Sequence, residues 1–327
     1  MDLIVHRSPR LTGRVAIGGS KNYTARYVLA ASLAEGESLV QNPAPIDDAA
    51  VMIRCCRALG AEIREVAGGL AIRGTGGRLR SPGRLDVGNA GAVTRFLLGV
   101  CATIPEPTTF VTPYPESLGK RPHGDLLDAL AQLGADVQSE NGRLPVTVAR
   151  GRLKGGPVRI LGSTSSQFTT ALLFMAPLID GETVIEVEGE LVSQPALEQT
   201  LAVLGDAGIE LAAAADRRRY VIPGGQRYRA GEYRVPGDWP AASAILAAAA
   251  CTESDVTALG LMDDAQGERA CVDVLAAMGA RVAFDPAART VRVQGAPLKA
   301  VDFDGDPATD AVLALAAAMC FAQGTST

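Results

Sequence analysis

No apolar run in this chain is long enough to span a bilayer. The most apolar stretches, such as Ala311 to Ala322, fall well short of the roughly 20 residues a membrane helix needs, so they are expected as core helices and no membrane partner is expected. CxxC spacing is also missing. The six cysteines (Cys55, Cys56, Cys101, Cys251, Cys271 and Cys320) include one adjacent pair, which suggests neither a zinc site nor a disulfide framework and fits a reducing cytosol. Nor is positive charge in excess. A formal net charge of -5 gives no overall attraction to nucleic acid or acidic membranes, and leaves small anions held in a local basic cleft as the expected ligands. The opening MDLIVHRSPRL has too short an apolar stretch for a signal peptide, so a cytoplasmic location is expected.

What the chain does have is hydrophobic mass and a repeat. Its 327 residues, 47% of them hydrophobic, suffice for two domain cores. A helix pattern ending in Leu-Gly-Ala or a close variant, then a strand, a turn and a strand, occurs four times. The glycines that end the helices, Gly60, Gly134, Gly208 and Gly279, lie 74, 74 and 71 residues apart. Between copies runs a second helix of small residues behind a loop of Gly, Ser and Asn, so each unit reads as βαβαββ. These inner helices are apolar on all sides and are expected to be buried within a domain. A further beginning follows Ala300, which leaves the last unit incomplete.

Each inner helix starts where unpaired backbone N–H groups and the helix dipole favour an anion. The first start, Gly18-Gly19-Ser20-Lys21-Asn22, offers the Lys21 ammonium with Arg26 one turn on. The order GGSKN is not that of a nucleotide P-loop. The second start, Gly88-Asn89-Ala90-Gly91-Ala92 before Arg95, is bare enough for a ligand to approach the backbone. Lys120-Arg121 stands before what reads as a proline-started helix, and Arg121 is placed to clamp a carboxylate. His123 has no Asp or Ser partner in the sequence and reads as a cap or packing residue. The third start, Ser163-Thr164-Ser165-Ser166-Gln167, carries more hydroxyls than capping needs, which suits phosphate oxygens. Ser193 adds a hydroxyl or caps the helix after it. Asp310, just ahead of a nearly all-apolar helix, is expected to be partly desolvated and able to act as a general base. Arg217-Arg218-Arg219, at a hairpin turn, are expected to be exposed, and the spacing of Asp302, Asp304 and Asp306 is not that of an EF-hand.

In this order the segments GSKNYTARYVLAASLAEG, GNAGAVTRFLLG, SLGKRPHGDLLDALAQLGA, SSQFTTALLFMAPL with ELVSQP, and VPGDWPAASAILAAAA resemble the 5-enolpyruvylshikimate-3-phosphate synthase family of enolpyruvyl transferases. The resemblance runs from about residue 10 to the end. It implies an α/β fold, a two-domain inside-out α/β barrel of repeated βαβαββ units, with residues 20–235 as the upper domain and 1–19 plus 236–327 as an incomplete lower domain. It implies transfer of enolpyruvyl from phosphoenolpyruvate to shikimate 3-phosphate by a monomeric enzyme without metal or organic cofactor. Lys21, Gly91, Arg121 and Gln167 would meet phosphoenolpyruvate. Lys21, Asn22, Arg26, Ser165, Ser166, Gln167, Ser193 and Asp310 would meet shikimate 3-phosphate, with Asp310 and Lys21 in the chemistry.

Three positions depart from the family pattern: Asn22 replaces Ser, Ala92 replaces Thr, and Ala196 replaces the Tyr over the shikimate ring. The chain also ends before the usual Arg-Lys-Glu-Ser-Asp-Arg segment, so weak or absent turnover is expected of it. Two other readings stand beside this one. A non-catalytic or diverged paralogue would bind a related phosphorylated acceptor. A UDP-N-acetylglucosamine enolpyruvyl transferase would share Asn22 but carry a Cys before the Arg-Pro, and Thr112 to Lys120 contains none.

Overall fold

The computed structural model describes residues 4, 6, 8, 10–44 and 47–327. These form two compact units, one of Lys21–Val235, the other of Pro236–Thr327 with the N-terminal strand leading to Ser20. Among the described residues there are sixteen strands and nine α-helices, labelled in chain order.

The unit Lys21–Val235 holds three four-stranded sheets. One is β5 (Arg84–Asp86), β6 (Thr108–Val111), β8 (Arg143–Ala149) and β7 (Asp136–Glu140), with α3 (Gly91–Cys101) and α4 (Gly124–Gln132) in its crossovers. The next is β9 (Pro157–Leu161), β10 (Thr183–Glu188), β12 (Arg219–Ile222) and β11 (Ala212–Ala213), with α5 (Ser166–Met175) and α6 (Gln194–Asp206). In both, the first strand runs parallel to the second and a closing hairpin adds two antiparallel strands. The four repeat glycines all have positive φ: 110°, 95°, 73° and 103° at Gly60, Gly134, Gly208 and Gly279. A side chain there would be strained, which is why each helix stops at glycine before the hairpin.

The third sheet is assembled differently. β2 (Glu37–Gln41), β4 (Gly69–Arg73) and β3 (Glu62–Val66) follow α1 (Lys21–Leu33) and flank α2 (Asp47–Ala58). Its parallel edge is β13 (Glu232–Arg234), from the far end of the unit. The strand that precedes α1 in the chain, β1 (Thr12–Ala16), instead pairs in parallel with β14 (Asp255–Leu259). It completes the sheet of the other unit with β16 (Thr290–Gln294) and β15 (Arg281–Asp285), around α7 (Trp239–Ala250), α8 (Cys271–Ala277) and α9 (Val312–Met319). The repeat is thus contiguous for two sheets, while the other two draw their first strand from a distant segment.

Burial follows the reading of the inner helices in one unit only. Every residue of α1 from Tyr23 to Leu33 is buried, as is all of α5 except Gln167. In α9 only Leu315 and Ala318 are buried, and Leu313 is 84% exposed, because α7 covers a single face of that helix. The expected desolvation of Asp310 is therefore not met: Asp310 is exposed. Arg217 differs in the other direction. With φ of 57° it turns back on α6 and pairs bidentately with Glu198 at 2.6 and 3.1 Å, so it is half-buried where exposure was expected.

Candidate active site

The first two turns of α1, α3, α5 and α6 are tied together by side chains. Arg26 Nε donates to Thr200 Oγ1 and its Nη2 to the Ala196 carbonyl, both at 3.0 Å, joining α1 to α6. Thr170 and Thr200 hydroxyls bond at 3.0 Å, joining α5 to α6. Arg95 Nη1 donates to Gln167 Oε1 at 2.6 Å, joining α3 to α5. Four helix starts, each with its outward N–H groups, therefore lie at one end of this unit. Close helix contact is needed for that arrangement. A Cβ on Gly99 would stand 2.5 Å from the Ala171 carbonyl oxygen, so only glycine lets α3 reach α5 at this depth.

Two arginines sit in equivalent places of the repeat, in Thr-Ala-Arg-Tyr and Val-Thr-Arg-Phe, and each lies over an aromatic ring of the next inner helix, α3 for Arg26 and α5 for Arg95. Arg26 is 5.1 Å above Phe96, and Arg95 is 5.0 Å above Phe168. Among the described residues neither is paired with a carboxylate. Burial pushes both guanidinium groups down to about 10, with Arg121 adding to the effect on Arg95. Charge held this way favours an incoming anion. Arg26 is buried, with a third bond from Nη1 to the Asn22 carbonyl at 3.0 Å. Its placement is beneath the first-loop backbone, not out beside Lys21, which is exposed at the start of α1.

Arg121 owes its position to the proline after it. A residue before proline is driven out of the helical region, and Arg121 has φ of -72° and ψ of 135°. The helix itself begins at Gly124, with His123 as its N-cap, two residues later than the proline start expected from the sequence. Lys120 turns outward to an ion pair with Glu116, while Arg121 lies against Gly91. A Cβ on Gly91 would come within 2.7 Å of Arg121 Nη1. Of the Lys-Arg pair, Arg121 is thus the member beside the second loop.

In the third loop Ser165 caps α5, its Oγ accepting from Gln167 N at 3.3 Å, and Ser166 is buried. One hydroxyl is used as a cap and the others in the loop are surplus to that need. Val192 N donates to the Gly162 carbonyl at 3.4 Å, which brings the segment carrying Ser193 alongside this loop. Ser193 has φ of 53° and makes no side-chain cap bond to α6. Asp310 belongs to the other unit, where its N–H donates to Glu268 Oε1 at 3.4 Å. Burial raises the Glu268 carboxyl, and Asp310 and Asp238 beside it act in the same sense.

Two members of this cluster, Arg95 and His123, were noted in the sequence but given no part in the site. Arg95 could have been found from its repeat-equivalence to Arg26. His123, fully buried beside Arg95 and Arg121, carried no such signal.

Residues 5–327 match the family described as EPSP synthase (3-phosphoshikimate 1-carboxyvinyltransferase). A 3-phosphoshikimate 1-carboxyvinyltransferase of Deinococcus radiodurans is 48% identical over 327 residues, covering 100% of this chain and 74% of that protein. One from Methanothrix thermoacetophila is 41% identical over 317 residues, covering 96% and 73% respectively. The solved EPSP synthase of Acinetobacter baumannii superposes with a TM-score of 0.83 at 24% identity, over 97% of this chain and 73% of that one, and so shares its fold. On the family match and these identities, the chain belongs to the EPSP synthase family.

Proposed function

We propose that this chain transfers the enolpyruvyl group of phosphoenolpyruvate to the 5-hydroxyl of shikimate 3-phosphate. The observation that carries the reading is the cluster at one end of the Lys21–Val235 unit, where Arg121 lies against Gly91 and Arg95 holds Gln167 beside bare helix starts. Such donors, fixed before any ligand arrives, are what a reaction passing through charged phosphate intermediates needs. In this reading Lys21, Gly91, Arg121 and Gln167 receive phosphoenolpyruvate. Asn22, Ser165, Ser166 and Ser193, with Lys21 and Gln167, receive shikimate 3-phosphate, and Arg26 braces the loop from beneath.

The substrate hydroxyl gives its proton to Asp310 as its oxygen bonds to C2 of the enol, and C3 takes up a proton from the Lys21 ammonium. The neutral Lys21 amine then takes back a C3 proton from the tetrahedral intermediate as phosphate is expelled with the proton held by Asp310, which restores the double bond on the new ether. No metal or organic cofactor takes part in this scheme. We place the protein in the cytoplasm as a monomer, with its domain boundaries at Ser20 and Val235.

Calorimetric titration tests the reading directly. Shikimate 3-phosphate should bind the protein alone, bind more tightly with phosphoenolpyruvate present, and bind at least tenfold more weakly after Lys21→Ala. Absence of shikimate 3-phosphate binding by the folded protein would remove this reading, and preference for another phosphorylated acceptor would redirect it.

A further inference from the structure

His123 is a buried imidazole with nothing bonded to its ring. It is 0% exposed, and neither Nδ1 nor Nε2 has a hydrogen-bond partner among the described residues. Its backbone is held firmly, the N–H donating to the Gly142 carbonyl at 2.8 Å and the carbonyl accepting from Leu127 N at 3.1 Å. The nearby Arg95 has a matching vacancy. Its Nη1 serves Gln167 and its Nη2 reaches the carbonyl of Pro122, the residue next to His123, at 3.4 Å, but its buried Nε–H has no acceptor. Buried donors and acceptors are nearly always satisfied in a folded protein, so an unmade acceptor on His123 and an unmade donor on Arg95, whose charge acts on that imidazole, point to a bond that another state of the site completes.

Their chemistry fits only one way. Arg95 offers donors alone, whereas a neutral imidazole has one acceptor nitrogen. His123 stays neutral near pH 7, since burial, with Arg95 and Arg121 alongside, holds it down to about 4. The same one-sidedness fixes Gln167: with Oε1 turned to Arg95, its amide nitrogen is the end left to donate to an anion.

We propose that His123 is a positioning residue for the enolpyruvyl-transfer site, its acceptor nitrogen taking the Nε–H of Arg95 when substrate engages Gln167. The imidazole thereby fixes Arg95, and Arg95 fixes the Gln167 amide. His123 itself touches no substrate. This inference rests on the functional reading given above.

The chain has two histidines, His6 and His123, so nitrogen-15 labelling of histidine in the His6→Asn protein reports one imidazole. Saturating shikimate 3-phosphate and phosphoenolpyruvate should move the unprotonated ring nitrogen of His123 to the shift of a hydrogen-bond acceptor, and Arg95→Lys, which lacks an Nε–H at that place, should abolish the movement. In parallel, His123→Leu should weaken phosphoenolpyruvate binding in the presence of shikimate 3-phosphate about tenfold. His123→Gln, which restores an acceptor, should recover it to within about threefold at an equal melting temperature. If the parent protein binds both ligands yet the ring nitrogen does not move, or His123→Gln binds no better than His123→Leu, the inference is overturned. If the parent protein binds neither ligand, the functional reading falls and this inference with it. Should His123→Leu fail to fold, the signal from the His6→Asn protein decides alone.

Discussion

At Gly91 a single hydrogen in place of a side chain decides where a guanidinium can rest. The Cβ of an alanine would lie 2.7 Å from Arg121 Nη1, closer than any unstrained contact, and the flexible end of Arg121 would be the part to yield. Backbone and fold would survive, because Gly91 opens α3 inside the ordinary helical region and nothing else crowds it that closely. Gly91→Ala is therefore expected to raise the Kd for phosphoenolpyruvate, measured with shikimate 3-phosphate present, about tenfold, equivalent to about 1.4 kcal/mol, with little change in melting temperature. Calorimetric titration with a thermal melt would check it, and an unchanged Kd would show that Arg121 does not serve that ligand. At this scale the sequence was informative about residue type and less so about direction. Lys120 and Arg121 are adjacent cations, and only the folded turn sends one to Glu116 and the other to Gly91. His123 read as a cap or packing residue, and its place beside the two arginines was hidden for a related reason: Arg95 and Arg121 come from an earlier helix and from beyond a proline, and no linear spacing records that meeting.

Among the elements, the inner helices of the Lys21–Val235 unit were the most legible. Their all-round apolar composition foretold burial, and the four glycines at their repeat positions foretold where partner helices would stop. Strand membership was not legible at the ends of the unit. A linear repeat would lay β1 beside β2, yet β13 occupies that edge and β1 lies beside β14. Parallel pairing needs only a matching edge, and the chain supplies two similar strands, so the choice is made by which core closes around which segment. The depth of α3 against α5 was likewise hidden, since Gly99 reads as one more small residue in a helix. Gly99→Ala is expected to push the helices apart against the Ala171 backbone and to destabilise the unit by about 1–3 kcal/mol. Denaturant unfolding would measure it, and a change below about 0.5 kcal/mol would mean the helices can separate at little cost.

For the whole molecule, the hydrophobic residues divide into two separate cores. One draws only on residues between Tyr23 and Val235, the other only on Ile17 and residues from Trp239 to Ala318. The segments where the chain passes between units are joined to each other, Ser20 N donating to the Pro236 carbonyl at 2.8 Å and Gly19 pairing with Gly237. Separate cores with their own sheets should unfold as separate cooperative units, so scanning calorimetry is expected to resolve two transitions. Two substitutions assign them. Gly99→Ala should lower one transition alone. Asp264 marks the other: burial raises its carboxyl from 3.8 to about 6, although Gln266 donates to it from N and Nε2 at 2.8 and 3.0 Å. A carboxyl raised in the folded state binds its proton more tightly there than in the unfolded chain. Its penalty is full above about pH 6 and disappears below about pH 4, so this group makes stability rise as pH falls through that window. Asp264→Asn keeps an acceptor for Gln266 without the charge. It should raise the second transition by several degrees at pH 7.5, about 1 kcal/mol for a unit of this size, and leave it nearly unmoved at pH 4. A single transition shifted by both substitutions would show that the two cores melt as one.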